Sequence, residues 1–263
     1  MRPTALLAVA VLAAQVSAGA EEGRPAALKD VAWDQKLGDS LPLDLALKDE
    51  AGREVRLGDY FGRKPVVLSL VYYECPMLCT LTLNGLASAL GVLSFDAGKE
   101  FEIVTVSFDP KDTPAGAAAK KRSYLQRYKR PTAKAGWQFL TADADAIRRL
   151  TSTVGFRYAW DGETKQFAHP SGVVVATPDG KLARYLFGIE YAPKDLRLAL
   201  VESSAGKIGT AVDQVALFCY RYDPMTGKYS AAILRFVRLG GILTVAGLLA
   251  FVVKMLRREL AHA

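Results

Sequence analysis

The sequence predicts an α/β domain with a central mixed sheet, because strand and helix patterns alternate along much of the chain. Between residues 66 and 154, short apolar runs typical of strands are each followed by a longer helical pattern, as in strand–helix–strand units. Residues 173–176 and 182–187 then flank Pro178-Asp179-Gly180, a strong turn signal that predicts an antiparallel hairpin. Strand–helix–strand units place their strands parallel, and a hairpin places its strands antiparallel, so a sheet built from both is mixed.

The first part of the domain is predicted to be a hairpin followed by a buried strand. Residues 41–47 and 54–57 alternate between apolar and polar side chains, and the polar stretch 48–53 supplies the turn between them. Residues 66–71 are apolar and rich in β-branched side chains, over a length typical of a strand. They are therefore predicted to be buried in the sheet.

Helical patterns follow the predicted central strands. Asp109-Pro110 ends a strand predicted at 101–108, and Gly155 is placed to end the helix that follows a short strand at 137–140. A proline suits the first turn of a helix. The predicted helices, in chain order, begin near Pro76 and then cover residues 114–128, 144–154 and 193–201.

Two of the three cysteines, Cys75 and Cys79, lie about one helical turn apart, where the first central strand gives way to a helix. Backbone N–H groups and the helix dipole at such a position favour thiolate over thiol. Two thiolates that converge suit either a disulfide or a soft metal ion. A cysteine pair at the start of this helix is the thioredoxin arrangement, so a thioredoxin-like fold is predicted, although the spacing is CxxxC and not CxxC.

The N-terminus is predicted to be a secretory signal. Arg2 supplies the basic region, Ala5–Ala14 is a short apolar core, and small residues near Ala18 offer a cleavage site. We expect a signal peptide at 1–20 and a polar tether at 21–34, with an uncleaved N-terminal anchor as the alternative. Export implies an oxidising compartment, where a dithiol remains functional only if a reductant or a bound metal keeps it from forming a permanent disulfide.

A second apolar segment, residues 236–256, is long enough to cross a bilayer. The basic residues that follow it place the C-terminus in the cytoplasm. The alternative is an amphipathic helix on the membrane surface. The predicted location is the bacterial inner membrane, with a single-pass anchor and the soluble domain facing the periplasm. The predicted parts are the domain 35–201, a connecting segment 202–235, a transmembrane helix 236–256 and a cytoplasmic tail 257–263.

One stretch, residues 111–134, is strongly basic, with eight Lys or Arg residues and one acid, Asp112. Such a patch suits anionic lipid or an acidic partner face, and the alternative is a solvated helix face. An exported, anchored chain without a nucleic-acid motif is not expected to bind nucleic acid.

Four segments together resemble the Sco/SenC family of membrane-anchored copper-handling proteins. They occur in the family's order over roughly residues 35–200, and their combination carries more weight than the CxxxC spacing alone. The segments are Cys75-Pro76-Met77-Leu78-Cys79 after a strand, Val106-Ser107-Phe108-Asp109-Pro110-Lys111-Asp112-Thr113-Pro114, Gly136-Trp137-Gln138-Phe139-Leu140-Thr141, and Phe167-Ala168-His169-Pro170-Ser171 followed by Pro178-Asp179-Gly180.

The resemblance implies a copper site formed by Cys75, Cys79 and His169, which would hold one Cu(I) or Cu(II) ion. Two thiolates and an imidazole suit both oxidation states. Family members are implicated in supplying copper to the copper A centre of cytochrome c oxidase. The implied partner is therefore the oxidase subunit that carries this centre, and the protein would be a carrier more than an enzyme.

Some family members act instead as thiol-disulfide reductants, which leaves a second interpretation open. In it Cys75 attacks a client disulfide, Cys79 resolves the mixed disulfide, and both are catalytic, whereas His169 is dispensable. A third interpretation is a redox or copper sensor that regulates a partner through the basic stretch.

Three features depart from the family pattern. Thr80 stands where proline often follows the second cysteine, and Glu74 precedes the first cysteine, where a small or polar residue is usual. The predicted membrane helix is C-terminal and not N-terminal, which resembles a bacterial sub-branch of the family.

His169 has a plainer alternative as a structural histidine with its hydrogen bonds satisfied. It precedes the strand that, in a thioredoxin fold, runs next to the active-site helix, and this position favours the ligand role. His169-Pro170 is also a candidate for the cis-proline that thioredoxins carry in this loop. The alternative is a trans bond, as in most X–Pro pairs.

Several further residues keep two interpretations. Cys219 is an inert thiol, or else a transient copper ligand or an intermolecular disulfide site. Met77 packs or faces a partner, or adds a thioether ligand. Asp109 and Asp112 shape the site or dock a partner, or else they belong to a turn in which Asp112 or Thr113 caps the following helix. The tryptophans predicted to be core or rim aromatics are Trp33, Trp137 and Trp160.

Overall fold

The computed structural model describes residues 30–75, 78–208, 222–223, 228–229, 238–248, 251 and 254. The chain divides into two compact units, Met1–Ile208 and Gly209–Ala263. The first unit contains the α/β domain.

Eleven strands lie in the described part of the first unit. They are β1 (Ala32–Trp33), β2 (Ala46–Lys48), β3 (Glu54–Arg56), β4 (Val66–Val71), β5 (Glu102–Ser107), β6 (Trp137–Leu140), β7 (Phe156–Arg157), β8 (Ala159–Asp161), β9 (Gln166–Ala168), β10 (Gly172–Ala176) and β11 (Leu182–Phe187).

Five α-helices and one short 3-10 helix, Leu57–Tyr60, accompany these strands in the same part of the structure. The α-helices are α1 (Leu78–Gly91), α2 (Pro114–Tyr128), α3 (Ala133–Gly136), α4 (Ala144–Val154) and α5 (Pro193–Ser204).

The central sheet has five strands in the order β11-β10-β4-β5-β6. Strands β4, β5 and β6 are parallel, whereas β10 runs antiparallel to both β4 and β11. The predicted mixed sheet is therefore confirmed. All six residues of β4 are buried, as its apolar, β-branched sequence predicts.

The three other strand pairs in this unit are short two-stranded sheets, formed by β1 with β7, β2 with β3, and β8 with β9. The hairpin predicted at 41–47 and 54–57 is shorter than expected. Pro42 lacks a backbone N–H for a strand ladder. Its carbonyl accepts a hydrogen bond from the Leu45 N–H at 3.0 Å, so a turn replaces the first part of the strand.

Local signals set the ends of two helices, which have the bounds that the sequence predicts. The Thr113 side chain caps α2 by accepting a hydrogen bond from the Gly116 N–H at 3.2 Å. Asp143 caps α4 in the same way through the Ala146 N–H, at 2.8 Å. Gly155 ends α4 in the left-handed conformation, with φ of 67°.

The core is rich in aromatic side chains. Trp137 is fully buried and donates a hydrogen bond from its indole N–H to the Thr105 hydroxyl at 2.9 Å. Trp33 is half-buried, and Trp160 keeps 53% of its surface exposed. The prediction that the tryptophans are core or rim residues is confirmed, with Trp137 in the core and Trp160 at the rim.

The second unit contains β12 (Tyr222–Asp223), paired antiparallel with β13 (Lys228–Tyr229), and helical residues 238–248, 251 and 254. Within the described residues, no helix has both the length and the apolar character needed to cross a membrane. The predicted anchor at 236–256 falls partly outside these residues and stays a prediction. The predicted signal 1–20, Met77 and Cys219 lie wholly outside them.

Candidate metal centre

The side chains of Cys75, Cys79 and His169 come together at the end of β4. Cys75 lies in the loop after this strand, and Cys79 lies in the first turn of α1. Strand β10 pairs antiparallel with β4, so the residues before Gly172 lie beside those that follow Val71. The one sulfur or nitrogen atom that each of the three residues offers lies within 4.8 Å of the other two.

All three residues are buried. Cys75 keeps 6% of its surface exposed, Cys79 keeps 3% and His169 keeps 7%. Both cysteines are free thiols and not a disulfide. Two soft sulfur donors and one imidazole are therefore held together in a site with little water, an arrangement that could hold a metal ion.

The hydrogen bonds of His169 orient its ring. Its Nδ1 atom lies 3.0 Å from the Pro170 carbonyl oxygen, which can only accept, so Nδ1 carries a hydrogen. Its Nε2 atom lies 3.2 Å from the Cys79 sulfur. Nε2 is therefore the ring nitrogen that faces the sulfurs and is placed to bind a metal ion.

The two cysteines differ in electrostatic environment. The hydrogen bond with the Cys79 side chain is the main cause that lowers the pKa of Cys75, and the His169 side chain, the Cys79 backbone N–H and the Tyr72 side chain add to it. That backbone N–H donates to the Cys75 sulfur at 3.3 Å. Burial is the main cause that raises the pKa of Cys79. The two sulfurs are therefore unequal, with the thiolate favoured on Cys75 and the thiol favoured on Cys79.

Aromatic rings enclose the imidazole of His169. Its ring centroid lies 5.2 Å from that of Phe108, 5.8 Å from that of Tyr72 and 6.1 Å from that of Phe156. These rings come from three separate parts of the chain. The low polarity that they create strengthens every electrostatic interaction among the three donors.

Asp112 ties the cysteine loop to the next loop of the domain. One of its carboxylate oxygens accepts hydrogen bonds from the Tyr73 N–H at 2.6 Å and from the Ser107 hydroxyl at 2.5 Å. Burial is the main cause that raises the pKa of Asp112. Of the two residues offered as the cap, Thr113 caps α2, whereas Asp112 supports the residues just before Cys75.

Asp109 has the turn-forming role that the sequence offered as one interpretation. Its carboxylate accepts a hydrogen bond from the Lys111 N–H two residues later, at 2.9 Å. It therefore shapes the loop that leads to Asp112.

The peptide bond between His169 and Pro170 is trans. The cis-proline interpretation of this pair is therefore wrong. The trans bond agrees with the general preference of X–Pro bonds in folded proteins.

The basic stretch is only partly a free surface. Lys121 is buried and pairs with Glu50, and it also donates to the Gln138 side chain at 2.9 Å. Arg130 pairs with Asp96. The other six basic residues of the stretch form no ion pair within the described part of the chain. These six are Lys111, Lys120, Arg122, Arg127, Lys129 and Lys134.

An open groove of about 300 Å³ lies beside the cysteine loop. Glu74 and Asp112 contribute acidic side chains to its lining, and Lys111 and Lys120 contribute basic ones. Lys111 also lies over the exposed ring of Trp160, with its ammonium 5.8 Å from the ring centroid. The groove and Trp160 form the polar and aromatic rim of the site.

Comparison with known proteins decides the family. The family model described as SCO1/SenC matches residues 36–201, which is more than half of the chain. This chain belongs to the SCO1/SenC family. The matched region contains Cys75, Cys79 and His169, and the family resemblance of the sequence is confirmed.

Solved structures share the fold of this SCO1/SenC chain. A candidate electron transfer protein from Aquifex aeolicus is 29% identical and has a TM-score of 0.59, with 67% of this chain and 98% of that chain covered. The copper-bound ScoI of Arabidopsis thaliana is 18% identical with a TM-score of 0.50, and 65% of this chain and 99% of that chain are covered. These likenesses confirm the predicted thioredoxin-like fold.

A curated relative matches over a shorter part of both chains. A candidate copper-binding protein of Stutzerimonas stutzeri is 25% identical over 124 residues, which cover 46% of this chain. The match spans 56% of that protein, little more than half of its length.

Two residues around the site were not predicted from the sequence. Tyr72 and Phe108 contact the His169 ring, and both lie in or beside the motifs that were singled out. Their position directly after β4 and β5 was the available signal, because the ends of parallel strands meet at one edge of a sheet.

Proposed function

We propose that this protein binds one copper ion through Cys75, Cys79 and His169 and delivers it to the copper A site of a cytochrome c oxidase subunit. The observation that carries the proposal is the convergence of these three donors in a buried, aromatic site. Thiolate sulfur selects soft ions such as Cu(I), and imidazole also suits Cu(II).

The spacing of the donors supports this proposal. Bonds from a metal ion to thiolate or imidazole are about 2.0–2.3 Å long, so three donors around one ion lie about 3.5–4 Å apart. The three donor atoms already lie within 4.8 Å of one another. Copper could therefore bind after side-chain shifts on the order of 1 Å, without refolding of the loop.

The relatives support the choice of metal. The Arabidopsis structure has copper bound, and the Stutzerimonas protein is named as a candidate copper-binding protein. The oxidase copper site as the destination rests on the resemblance to the Sco/SenC family, whose members are implicated in its assembly.

Transfer would take place by ligand exchange. Thiolates of the partner would displace Cys75 and Cys79 one after the other while the ion stays coordinated. Both cysteines must be reduced for binding, so a Cys75–Cys79 disulfide would switch the carrier off.

The proposed location is the periplasmic side of a bacterial inner membrane. The N-terminal signal pattern at 1–20, the apolar segment 236–256 and the basic residues after it support this location. The anchor would keep the copper site near a membrane-bound oxidase.

A thiol-disulfide oxidoreductase is the second candidate function, and the unequal thiols favour it. The lowered pKa of Cys75 favours it as the attacking thiolate, and Cys79 would lose its proton when it attacks the mixed disulfide and releases the reduced client. His169 would not be needed for this chemistry.

Anaerobic titration of the reduced full-length protein with Cu(I) tests the proposal. We expect one equivalent bound by the wild type and by Cys219→Ser, and loss of tight binding in Cys75→Ser, Cys79→Ser and His169→Ala. Binding that survives His169→Ala would reduce the site to a dithiol. No tight binding by the wild type, together with disulfide reduction that survives His169→Ala, would establish the oxidoreductase in its place.

A further inference from the structure

The rim of the metal centre, formed by the groove and Trp160, adjoins the proposed ligands on two sides. Glu74, which lines the groove, directly precedes Cys75 in the chain. Trp160 pairs across β8 and β9 with Phe167, which lies two positions before His169. A protein that rests on this rim would therefore have its own side chains next to the copper ligands.

One wall of the groove belongs to a basic helix. The sequence of α2 contains four basic residues and no acidic one. Lys121 is buried and pairs with Glu50, so its charge is used within the domain. Lys120 lines the groove together with Lys111, and neither forms an ion pair within the described residues. The groove therefore offers two ammonium groups to a partner.

The acidic side chains of the lining do not cancel this charge. The Asp112 carboxylate is engaged by the domain itself, since it accepts hydrogen bonds from the Tyr73 N–H and the Ser107 hydroxyl. Glu74 is exposed and can pair with a basic side chain of a partner. Two lysines beside one glutamate are complementary to a surface on which acidic side chains predominate.

Trp160 adds an apolar contact to the charged groove. It keeps 53% of its surface exposed, and its ring meets Phe167 edge-on at a centroid distance of 5.0 Å. Tryptophan is among the residues that most often dominate the binding energy of protein interfaces. An anionic membrane attracts uniformly basic surfaces and would repel Glu74. A concave lining of mixed charge beside a large aromatic ring therefore fits a protein better than a lipid surface.

We propose that this rim is the docking surface for an acidic face of the protein that receives the copper. The inference deepens the proposed function, from which it takes the receiving protein. Acidic side chains of that protein would pair with Lys111 and Lys120, and an apolar side chain would cover Trp160. Docking would place its copper ligands beside Cys75, one of the two sulfurs that they must displace.

The test measures association between the reduced full-length protein and the oxidase subunit that carries the copper A site. The subunit comes from the same organism and is reduced and metal-free, and the protein is used with and without Cu(I). Biolayer interferometry gives the dissociation constant at about 0.15 M ionic strength, where charges act over only about 8 Å. The groove variant is Lys111→Glu/Lys120→Glu.

The control is Arg127→Glu/Lys134→Glu, which changes the net charge equally at two exposed positions outside the groove lining. Arg127 lies seven residues beyond Lys120, about 10 Å along the helix axis. Lys134 precedes β6, and the parallel pairing of β6 with β5 puts it at the opposite edge of the sheet from the metal centre.

We expect the groove variant to raise the dissociation constant about tenfold or more, and the control to change it less than about twofold. Ala119→Glu adds a negative charge at an exposed position of the lining and removes no side-chain contact, so it should also weaken association. Trp160→Ala should weaken it about tenfold. Each variant should still bind one equivalent of Cu(I), because none of these residues is a proposed ligand.

The outcomes separate this inference from the proposed function. A groove variant that associates as well as the control, beside intact copper binding, would overturn this inference alone. A wild type that does not associate with the subunit would also overturn it. A wild type that binds no copper, yet associates through the groove, would refute the carrier and keep the docking surface. Vesicles that contain phosphatidylglycerol test the membrane, and loss of vesicle binding by the groove variant with unchanged subunit association would make the rim a lipid contact instead.

Discussion

The Nε2 atom of His169 lies 3.2 Å from the sulfur of Cys79, although 90 positions of sequence separate the two residues. The antiparallel pairing of β10 with β4 produces this contact, because it returns the chain to the end of the sheet where α1 begins. The Pro170 carbonyl holds the other side of the imidazole. The histidine is therefore oriented toward the thiols before any ion arrives.

The first prediction concerns the stability that this contact provides. His169→Ala should lower the free energy of unfolding of the reduced, metal-free protein by about 2 kcal/mol, because it opens a cavity among aromatic rings and removes the partner of Cys79. Urea denaturation measures the change. Gln166→Ala, at an exposed position of β9, is the control and should stay within about 0.5 kcal/mol of the wild type. Equal effects of the two variants would show that the His169 contact contributes nothing.

The second prediction concerns the protonation of the two thiols. The pKa of Cys75 is lowered, so its thiolate should persist as the pH falls well below about 8.5, the range of an ordinary thiol, and disappear only at the lower pKa. The pKa of Cys79 is raised, so it should stay protonated near neutral pH. Thiolate absorbance in the ultraviolet, followed against pH in a Cys219→Ser background, measures both groups.

Two single variants assign these titrations. In Cys75→Ser the thiolate signal at neutral pH should vanish, because the remaining Cys79 thiol is buried. In Cys79→Ser the Cys75 thiolate should remain, with a pKa closer to the ordinary value. The reason is that this substitution alters the hydrogen bond that lowers the pKa of Cys75 most. The reverse pattern would contradict the assignment of Cys75 as the thiolate.

The third prediction concerns Asp112, which supports the loop before Cys75. Asp112→Ala leaves the Tyr73 N–H and the Ser107 hydroxyl without their acceptor, so stability should fall by about 1–3 kcal/mol and copper affinity should fall with it. Asp109→Ala removes a turn contact in the same loop and serves as the control, with an expected loss of no more than about 1 kcal/mol. Urea denaturation and Cu(I) competition titration measure the two properties. Copper affinity that is the same in both variants would argue against a supporting role for Asp112.

The fourth prediction concerns Gly155, which turns the chain from α4 into the strand that carries Phe156. Its φ of 67° disfavours other residues, and an added Cβ atom would lie 1.8 Å from the Asp34 carbonyl oxygen. Gly155→Ala should therefore destabilise the domain by at least about 2 kcal/mol. Gly162→Ala, where an added Cβ meets nothing within 4 Å, should have little effect. Thermal unfolding measures both, and two equal midpoints would contradict the prediction.

Much of the secondary structure was predictable because its signals are local. Thr113 before Pro114 marks the start of α2, and Asp143 and Gly155 mark the two ends of α4. Each of these residues acts on backbone groups within a few positions of itself, so its effect can be recognised in the sequence. The hairpin at 41–57 was predicted too long, because the turn at Pro42 overrode the apolar alternation around it.

The sequence by itself determined the cysteine pair at the start of a helix, the order of the strands and helices, and, through family resemblance, the candidate ligand His169. The tertiary structure decided which groups surround these residues. It made Asp112 an acceptor for the cysteine loop and not a helix cap, and it packed the Tyr72 ring against the ring of His169. These roles depend on distances between segments far apart in the chain. Only the pairing of strands and the packing of side chains sets such distances, because no local pattern encodes them.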